Sequence, residues 1–169
     1  TEVDTLSLHD ALPICLSFDS SKCKKNHIFF AIKGNKFDGY KFINNSIKNG
    51  ARTIVSENKF EGIKNNVLFI KSSNVRKLLS EISYKIYKKK PKNLIAVTGT
   101  NGKSSIVNFY LQILKLNKKS VGSIGTLGIN INSKITKIQN TTLDPLQLSK
   151  QLEKLKKKNI NNLILEASS

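Results

Sequence analysis

Residues 98–105 read Thr-Gly-Thr-Asn-Gly-Lys-Ser-Ser, and this stretch restricts the fold more than any other. The apolar run Leu94-Ile95-Ala96-Val97 leads into it and predicts a short buried strand, and residues 106–116 carry a helical pattern. Strand, glycine loop ending in Gly-Lys-Ser, helix is the setting in which a loop cradles phosphate. Gly99 and Gly102 let the backbone turn tightly and bring N–H groups close to phosphate oxygens. The helix N-terminus adds free N–H donors and partial positive charge. Lys103 supplies a compact cation for the terminal phosphates, and the Ser104 hydroxyl is a ligand for Mg²⁺. The common form G-x-x-x-x-G-K-[ST] has glycine where this chain has Val97. The plain alternative is an ordinary strand-to-helix turn with an incidental lysine. Two glycines, with a strand before and a helix after, favour the phosphate loop.

The rest of the composition narrows the class. The chain has 169 residues and 38% hydrophobic content, enough for one domain or two small ones with a core. Strand and helix patterns mix, which predicts an α/β protein. Lys and Arg number 29 against 11 Asp and Glu, a net charge of +18. The excess is nearly all lysine, is spread along the whole chain, and comes with many Asn and Ile. Arg52 and Arg76 are the two arginines, few for a chain built to read phosphates or guanines bidentately. A dedicated nucleic-acid binder is therefore the weaker reading of the charge. Cys15 and Cys23 do not form a disulfide framework or metal spacing, which points to reduced thiols. No apolar run has the length of a membrane span and no signal peptide is evident, so a cytoplasmic protein is expected.

Residues 1–14 are acidic, lack lysine and differ in texture from all that follows, so they are set aside as a foreign segment. Residues 27–32 form an apolar run, a buried strand ending at the glycine-bounded loop 33–39. Residues 40–49 predict a helix with Phe42, Ile43 and Ile47 inward, stopped by Gly50. Short strands are expected at 53–55 and 67–70, with 57–66 a polar loop between them. Asn74 caps a helix whose stripe is Val75, Leu78, Leu79, Ile82 and Ile86. It ends at Lys88-Lys89-Lys90-Pro91, where a domain boundary is placed. The helix after the phosphate loop is apolar on most sides and is expected to lie between the sheet and another layer. Strands are expected at 121–125 and 129–131, with 126–128 as a turn. Asp144 caps and Pro145 opens a helix with Leu148, Leu152 and Leu155 inward. Residues 163–165 form a last buried strand, ending in Glu166-Ala167-Ser168-Ser169. The chain stops at the carboxyl end of a strand, where a loop and helix normally follow, and so reads as a fragment cut inside a domain.

Glu166 follows a buried strand of the same α/β unit as the phosphate loop. A carboxylate there is placed to hold Mg²⁺ against phosphates, directly or through water; the alternative is a plain surface glutamate. Thr141 and Thr142 are either strand-end polar residues or donors to a polar substrate, and spacing does not decide between them. His27 precedes an apolar strand and reads as structural.

Assembled, these stretches resemble the Mur ligase family, most closely its MurE-type UDP-N-acetylmuramoyl-tripeptide synthetases. Asp19-Ser20-Ser21 followed by Asn26-His27-Ile28-Phe29-Phe30-Ala31-Ile32-Lys33-Gly34 is similar to the family signature D-S-R-x-V-x-x-G-x-x-F-x-A-x-x-G. Ser21 stands where that signature has arginine, and Asn26 where it has glycine. Phe37-Asp38-Gly39, with Phe42-Ile43 and Gly50-Ala51, continues it. Residues 98–105 match the family's own T-G-T-N-G-K-[ST]-[ST] loop, which accounts for Val97. Asn140-Thr141-Thr142-Leu143-Asp144-Pro145 resembles N-T-T-x-D-P, and residues 166–169 the start of E-x-S-S-H-G.

The resemblance implies a small N-terminal α/β domain, residues 15–90, that binds the UDP-sugar. It is followed by the first part of a P-loop-type parallel-sheet ATPase domain, residues 91–169. It implies an ATP- and Mg²⁺-dependent amide ligase of peptidoglycan precursor synthesis, working through an acyl phosphate. The ligase would add a diamino acid, meso-diaminopimelate or lysine, to UDP-N-acetylmuramoyl-L-alanyl-D-glutamate. Gly99, Thr100, Asn101, Gly102, Lys103, Ser104 and Ser105 would bind ATP, with Lys103 on the phosphates. Ser104 and Glu166 would hold Mg²⁺. Ser20, Asn140, Thr141, Thr142 and Ser168 would contact the UDP-muramoyl-dipeptide. Gly34, Asn35 and Lys36 would lie near its uridine. A monomer is expected, with no specific nucleic-acid or membrane partner, and these residues alone are expected not to catalyse ligation. The competing expectation is a non-catalytic nucleotide- or nucleic-acid-binding module using the basic surface.

Overall fold

The computed structural model describes residues 15–34, 38–58, 60–132, 134–137 and 143–167. The chain divides into two compact units between Ile82 and Ser83, and among the described residues each holds a five-stranded sheet.

The first unit contains β1 (Leu16–Ser17), β2 (Ile28–Phe30), β3 (Thr53–Ser56), β4 (Gly62–Lys64) and β5 (Val67–Lys71), in the order β1-β2-β3-β5-β4. All neighbours are parallel except β4, which runs antiparallel to β5. The run 27–32 is a strand over its central residues, and Phe29 and Phe30 are both fully buried, as a parallel strand covered on both faces requires. On one face Phe29, Ile54 and Val67 pack with Ile43 and Ala51.

Two expectations for this unit are corrected. The polar loop expected at 57–66 contains β4, because Asn65 and Asn66 both take positive φ, 52° and 59°, and close a two-residue hairpin between Lys64 and Val67. The helix expected from residue 40 begins as a 3-10 turn, Gly39–Phe42, and becomes α1 only at Ile43–Lys48. The tighter winding takes Phe42 off the inward stripe and leaves it 41% exposed, while Ile43 stays buried. Gly50 ends α1 as expected: it takes φ +105°, donates to the Ile47 carbonyl, and passes Ala51 back to the Ser46 carbonyl. Helix α2 (Val75–Ile86) is capped by Asn74, whose side chain accepts from the Lys77 N–H at 2.9 Å. Val75 and Leu79 are fully buried, and Ile86, at the end of the helix, is exposed.

The second unit runs β6 (Asn93–Val97), α3 (Lys103–Leu116), β7 (Val121–Gly125), β8 (Gly128–Ile131), β9 (Lys134–Thr136), α4 (Pro145–Lys157) and β10 (Asn162–Glu166). Its strand order is β6-β10-β7-β8-β9. The first three strands are parallel, and β8 and β9 turn back antiparallel. The strand β9 was not expected; all three of its residues are exposed, so it carries no alternation to read.

The two-residue period of β10 sorts its side chains between helices. Leu163 packs with Leu152 and Leu155 of α4. Ile164 packs with Val107 and Leu111 of α3. Asp144 caps α4 by accepting from the Gln147 N–H, and Pro145 occupies its first turn, as the sequence predicts. Ile160, the residue that leads α4 into β10, is buried against Leu155.

Two further expectations fail here for one reason, a missing neighbour. Among the described residues strand β6 pairs with β10 alone, so Leu94 and Ile95 are each 41% exposed instead of buried. Helix α3 presents Val107 and Leu111 to the sheet, while Ile106, Phe109, Ile113 and Leu116 are exposed. A single sheet covers one stripe of a helix, whatever the character of the rest. No helix among the described residues is long and apolar enough to cross a membrane.

Candidate phosphate and metal site

The site lies at the carboxyl ends of β6, β10 and β7, the edge of a parallel sheet where ligands bind. Strand β6 ends at Val97, and the glycine loop carries the chain to the first turn of α3. Gly99 takes φ +143° and Gly102 φ +80°, both in the region that favours glycine. At Gly102 a Cβ would meet nothing within 4 Å, so the dihedral and not space demands glycine there. Gly102 is also the N-cap of α3 and offers no side chain to the first-turn N–H groups. Those of Lys103, Ser104 and Ser105 therefore keep their donors for a ligand. The Lys103 ammonium folds back over the loop and donates to the carbonyls of Gly99 and Thr100. Asn101 and Ser105 are exposed on the same loop and turn.

Strand register brings Glu166 to this loop. Glu166 pairs with Val97 across β10 and β6, and Ala167 donates its N–H to the Val97 carbonyl at 2.8 Å. The side chain of Glu166 shares the α3 face with Ile164, two residues before it. Partial burial pushes its pKa up, but the Thr126 N–H and hydroxyl, the Ser104 hydroxyl and the Lys103 charge outweigh burial and hold it below the 4.5 of an ordinary glutamate. It is thus an anion at neutral pH. Beside it a cavity of about 180 Å³ is lined by Ser104, Asn108, Ser123, Gly125, Asn130 and Glu166, among others.

The donors fit a hard cation better than a zinc-type metal. Among the described residues no group of three or more His, Cys, Asp or Glu comes together. One carboxylate and one hydroxyl beside a phosphate-binding loop is the sparse oxygen set that Mg²⁺ uses, completing its shell with phosphate and water oxygens. Glu166 and Ser104 are the residues that would hold it.

The remaining predicted residues divide in two groups. Ser20 and Gly34 belong to the first unit. Ser20 is 8% exposed; its hydroxyl accepts from the Asn45 amide at 3.0 Å and its carbonyl from the Asn49 amide at 2.9 Å. Gly34 is exposed and follows Lys33, which forms a backbone bridge with Asp38. Asn35, Lys36, Asn140, Thr141, Thr142 and Ser168 lie outside the described residues. Sequence reasoning missed Gly125 and Thr126, treated only as a strand end and a turn. Thr126 donates to Glu166 from both its N–H and its hydroxyl. The available signal was a Gly-Thr pair at the carboxyl end of a strand, close to the loop.

Comparison with known proteins bears on the family and the fold. Residues 15–87 match the model described as Mur ligase family, catalytic domain, and residues 97–169 that of the Mur ligase middle domain. The UDP-N-acetylmuramoyl-L-alanyl-D-glutamate–2,6-diaminopimelate ligase of Rickettsia prowazekii is 42% identical over 158 residues, covering 91% of this chain and 32% of that protein. A second such ligase, from Clostridium acetobutylicum, is 33% identical over 91% of this chain and 33% of its own length. A solved structure of a ligase of that name is 29% identical, with a TM-score of 0.78 over 99% of this chain and 34% of the other. A MurF ligase from Thermotoga maritima, solved with ADP, shares the fold at a TM-score of 0.61 and 24% identity, over 94% of this chain and 33% of the other. The chain spans about a third of the length of the relatives it matches. With two family models accounting for nearly all residues from 15 onward, in the same order along the chain as the two units, the chain belongs to the Mur ligase family.

Proposed function

We propose that this chain carries the nucleotide-phosphate grip of an ATP-dependent amide ligase. The enzyme would add a diamino acid to UDP-N-acetylmuramoyl-L-alanyl-D-glutamate in the cytoplasm. The observation that carries the reading is the meeting of Glu166 with Ser104 and Lys103 at one edge of the sheet. The names of the relatives support the substrate, since each is a ligase of that muramoyl dipeptide with 2,6-diaminopimelate.

In this reading the loop N–H groups and Lys103 bind and orient the β- and γ-phosphates, with Lys103 exchanging the carbonyls of Gly99 and Thr100 for phosphate oxygens. Ser104 and Glu166 would hold Mg²⁺, which would supply charge neutralisation when bound. The substrate carboxylate takes the γ-phosphoryl group to give an acyl phosphate and ADP. The amine of the incoming amino acid then displaces phosphate to form the amide. No protein nucleophile is required; phosphoryl transfer depends on positioning and on cations. Ser20, Asn140, Thr141, Thr142 and Ser168 are the proposed muramoyl-dipeptide contacts, and Gly34, Asn35 and Lys36 the proposed uridine neighbours. Both family models and the relatives' names favour this reading over a non-catalytic nucleic-acid module.

The test is calorimetric titration of the chain with ADP and with ATP, in Mg²⁺ and in EDTA. Saturable binding strengthened by Mg²⁺ is expected, and absence of binding in either buffer refutes the reading.

A further inference from the structure

We propose that Gly125 and Thr126 are positioning residues that fix the Glu166 carboxylate for the metal, an inference that rests on the metal reading of Glu166 given above. Thr126 begins the turn between β7 and β8. Its backbone N–H donates to Oε2 of Glu166 at 3.0 Å and its hydroxyl to the same oxygen at 2.7 Å. Two donors occupy the two lone pairs of that one oxygen. The other oxygen, Oε1, is not engaged by Thr126 and lies open to a cation shared with Ser104, and the plane of the carboxylate is set by the pair.

Gly125 makes the same point from the other side. A Cβ built on it would lie 2.5 Å from Cδ, 2.7 Å from Cγ and 2.8 Å from Oε2 of Glu166. Gly125 is absent from the positive-φ glycines, Gly99, Gly102 and Gly128 among them, so its backbone does not demand glycine. The close approach of the carboxylate does. A methyl group here would move the side chain, because the flexible Glu166 yields before the strand does. The sheet explains why these two residues act together. Leu165 pairs with Ile124 across β10 and β7, so Glu166 and Gly125 are the next neighbours along both strands, on the face that α3 covers.

Partners that orient a metal ligand cost about tenfold to a hundredfold in metal affinity when removed. The experiment titrates Mg²⁺ into the 169-residue chain at saturating ADP, and ADP into the chain in EDTA, for wild type, Thr126→Val, Thr126→Ser, Gly125→Ala and Glu166→Gln. Thr126→Val keeps the shape and loses the hydroxyl, and Thr126→Ser keeps both donors. The expected result is a Mg²⁺ requirement raised about tenfold or more in Thr126→Val and Gly125→Ala. ADP affinity in EDTA and the thermal midpoint should stay at wild-type values, with Thr126→Ser restored to wild type. In the Glu166→Gln background, Thr126→Val should add little, as expected of residues acting through one another. An unchanged Mg²⁺ requirement in Thr126→Val overturns the proposal, as does an equal loss of ADP affinity in EDTA. Should Gly125→Ala unfold the chain, the Thr126 pair decides alone. If wild type binds no ADP in Mg²⁺, the phosphate-loop reading itself is refuted, an outcome distinct from the failure of the clamp.

Discussion

The N–H of Ala167 donates to the carbonyl of Val97 at 2.8 Å, and Glu166 pairs with Val97 one residue earlier. Two segments almost seventy residues apart are thereby locked at the same height of one sheet. The last strand residue before the glycine loop and the carboxylate proposed as its metal ligand cannot shift independently. The placement of Glu166 beside the loop follows from this register.

Lys103→Ala should abolish measurable binding of ATP to the chain and, in the ligase proposed above, amide formation, because the terminal phosphates lose their principal cation. Isothermal titration and a phosphate-release assay check this. A variant that keeps wild-type affinity and turnover removes the lysine from the mechanism.

Gly102→Ala tests the loop backbone. Alanine at φ +80° is strained by about 1–2 kcal/mol, and no steric contact adds to that cost. Stability should drop by about that amount in urea unfolding, and ATP affinity should fall with it. Full stability with full affinity would show that the loop does not need the left-handed conformation.

Lys118 ends α3 in the left-handed region, at φ 54°. Its N–H bonds to the Lys115 carbonyl, and that of Lys119 to the Leu114 carbonyl, the pattern that glycine usually completes. Lys118→Gly should therefore stabilise the chain by about 0.5–1 kcal/mol. Chemical denaturation reads this directly, and a destabilised variant contradicts the assigned backbone conformation.

Asp19 gives the pH dependence of the first unit. The Ser21 hydroxyl, opposed by some burial and aided by the Ser21 N–H and by Lys22, holds its carboxyl below the usual 3.8. A depressed folded pKa means that the contribution to stability is complete above about pH 5 and is lost as pH falls through 3.8 and below. Asp19→Asn should flatten the acid limb of a stability–pH curve in that window. An unaltered acid limb would show that Asp19 gains nothing on folding.

What the sequence disclosed, and what it withheld, follows from the range of each signal. Glycine, proline and cap chemistry is local. The stop at Gly50, the caps at Asn74 and Asp144, and the loop at Gly99 and Gly102 were all legible from a few residues. The Asn65-Asn66 turn was equally local, but asparagine pairs signal positive φ less strongly than glycine, and β4 was overlooked. Burial is not local. Leu94, Ile95 and the outer face of α3 looked like core because they are apolar, yet exposure depends on which strand or layer lies beside them. The same holds at the site. Lys103 and Ser104 were readable from the motif, and Glu166 from its place after a strand. Gly125 and Thr126 have no motif of their own and acquire a role only through the pairing of β10 with β7.

The most direct test of the central claim is an amide-resolved NMR titration of the chain with Mg-ATP. The account predicts saturable shifts concentrated at the N–H groups of residues 99–105 and at Thr126, lost in Lys103→Ala. Loop amides that stay unmoved, while ATP binds elsewhere or not at all, would contradict it.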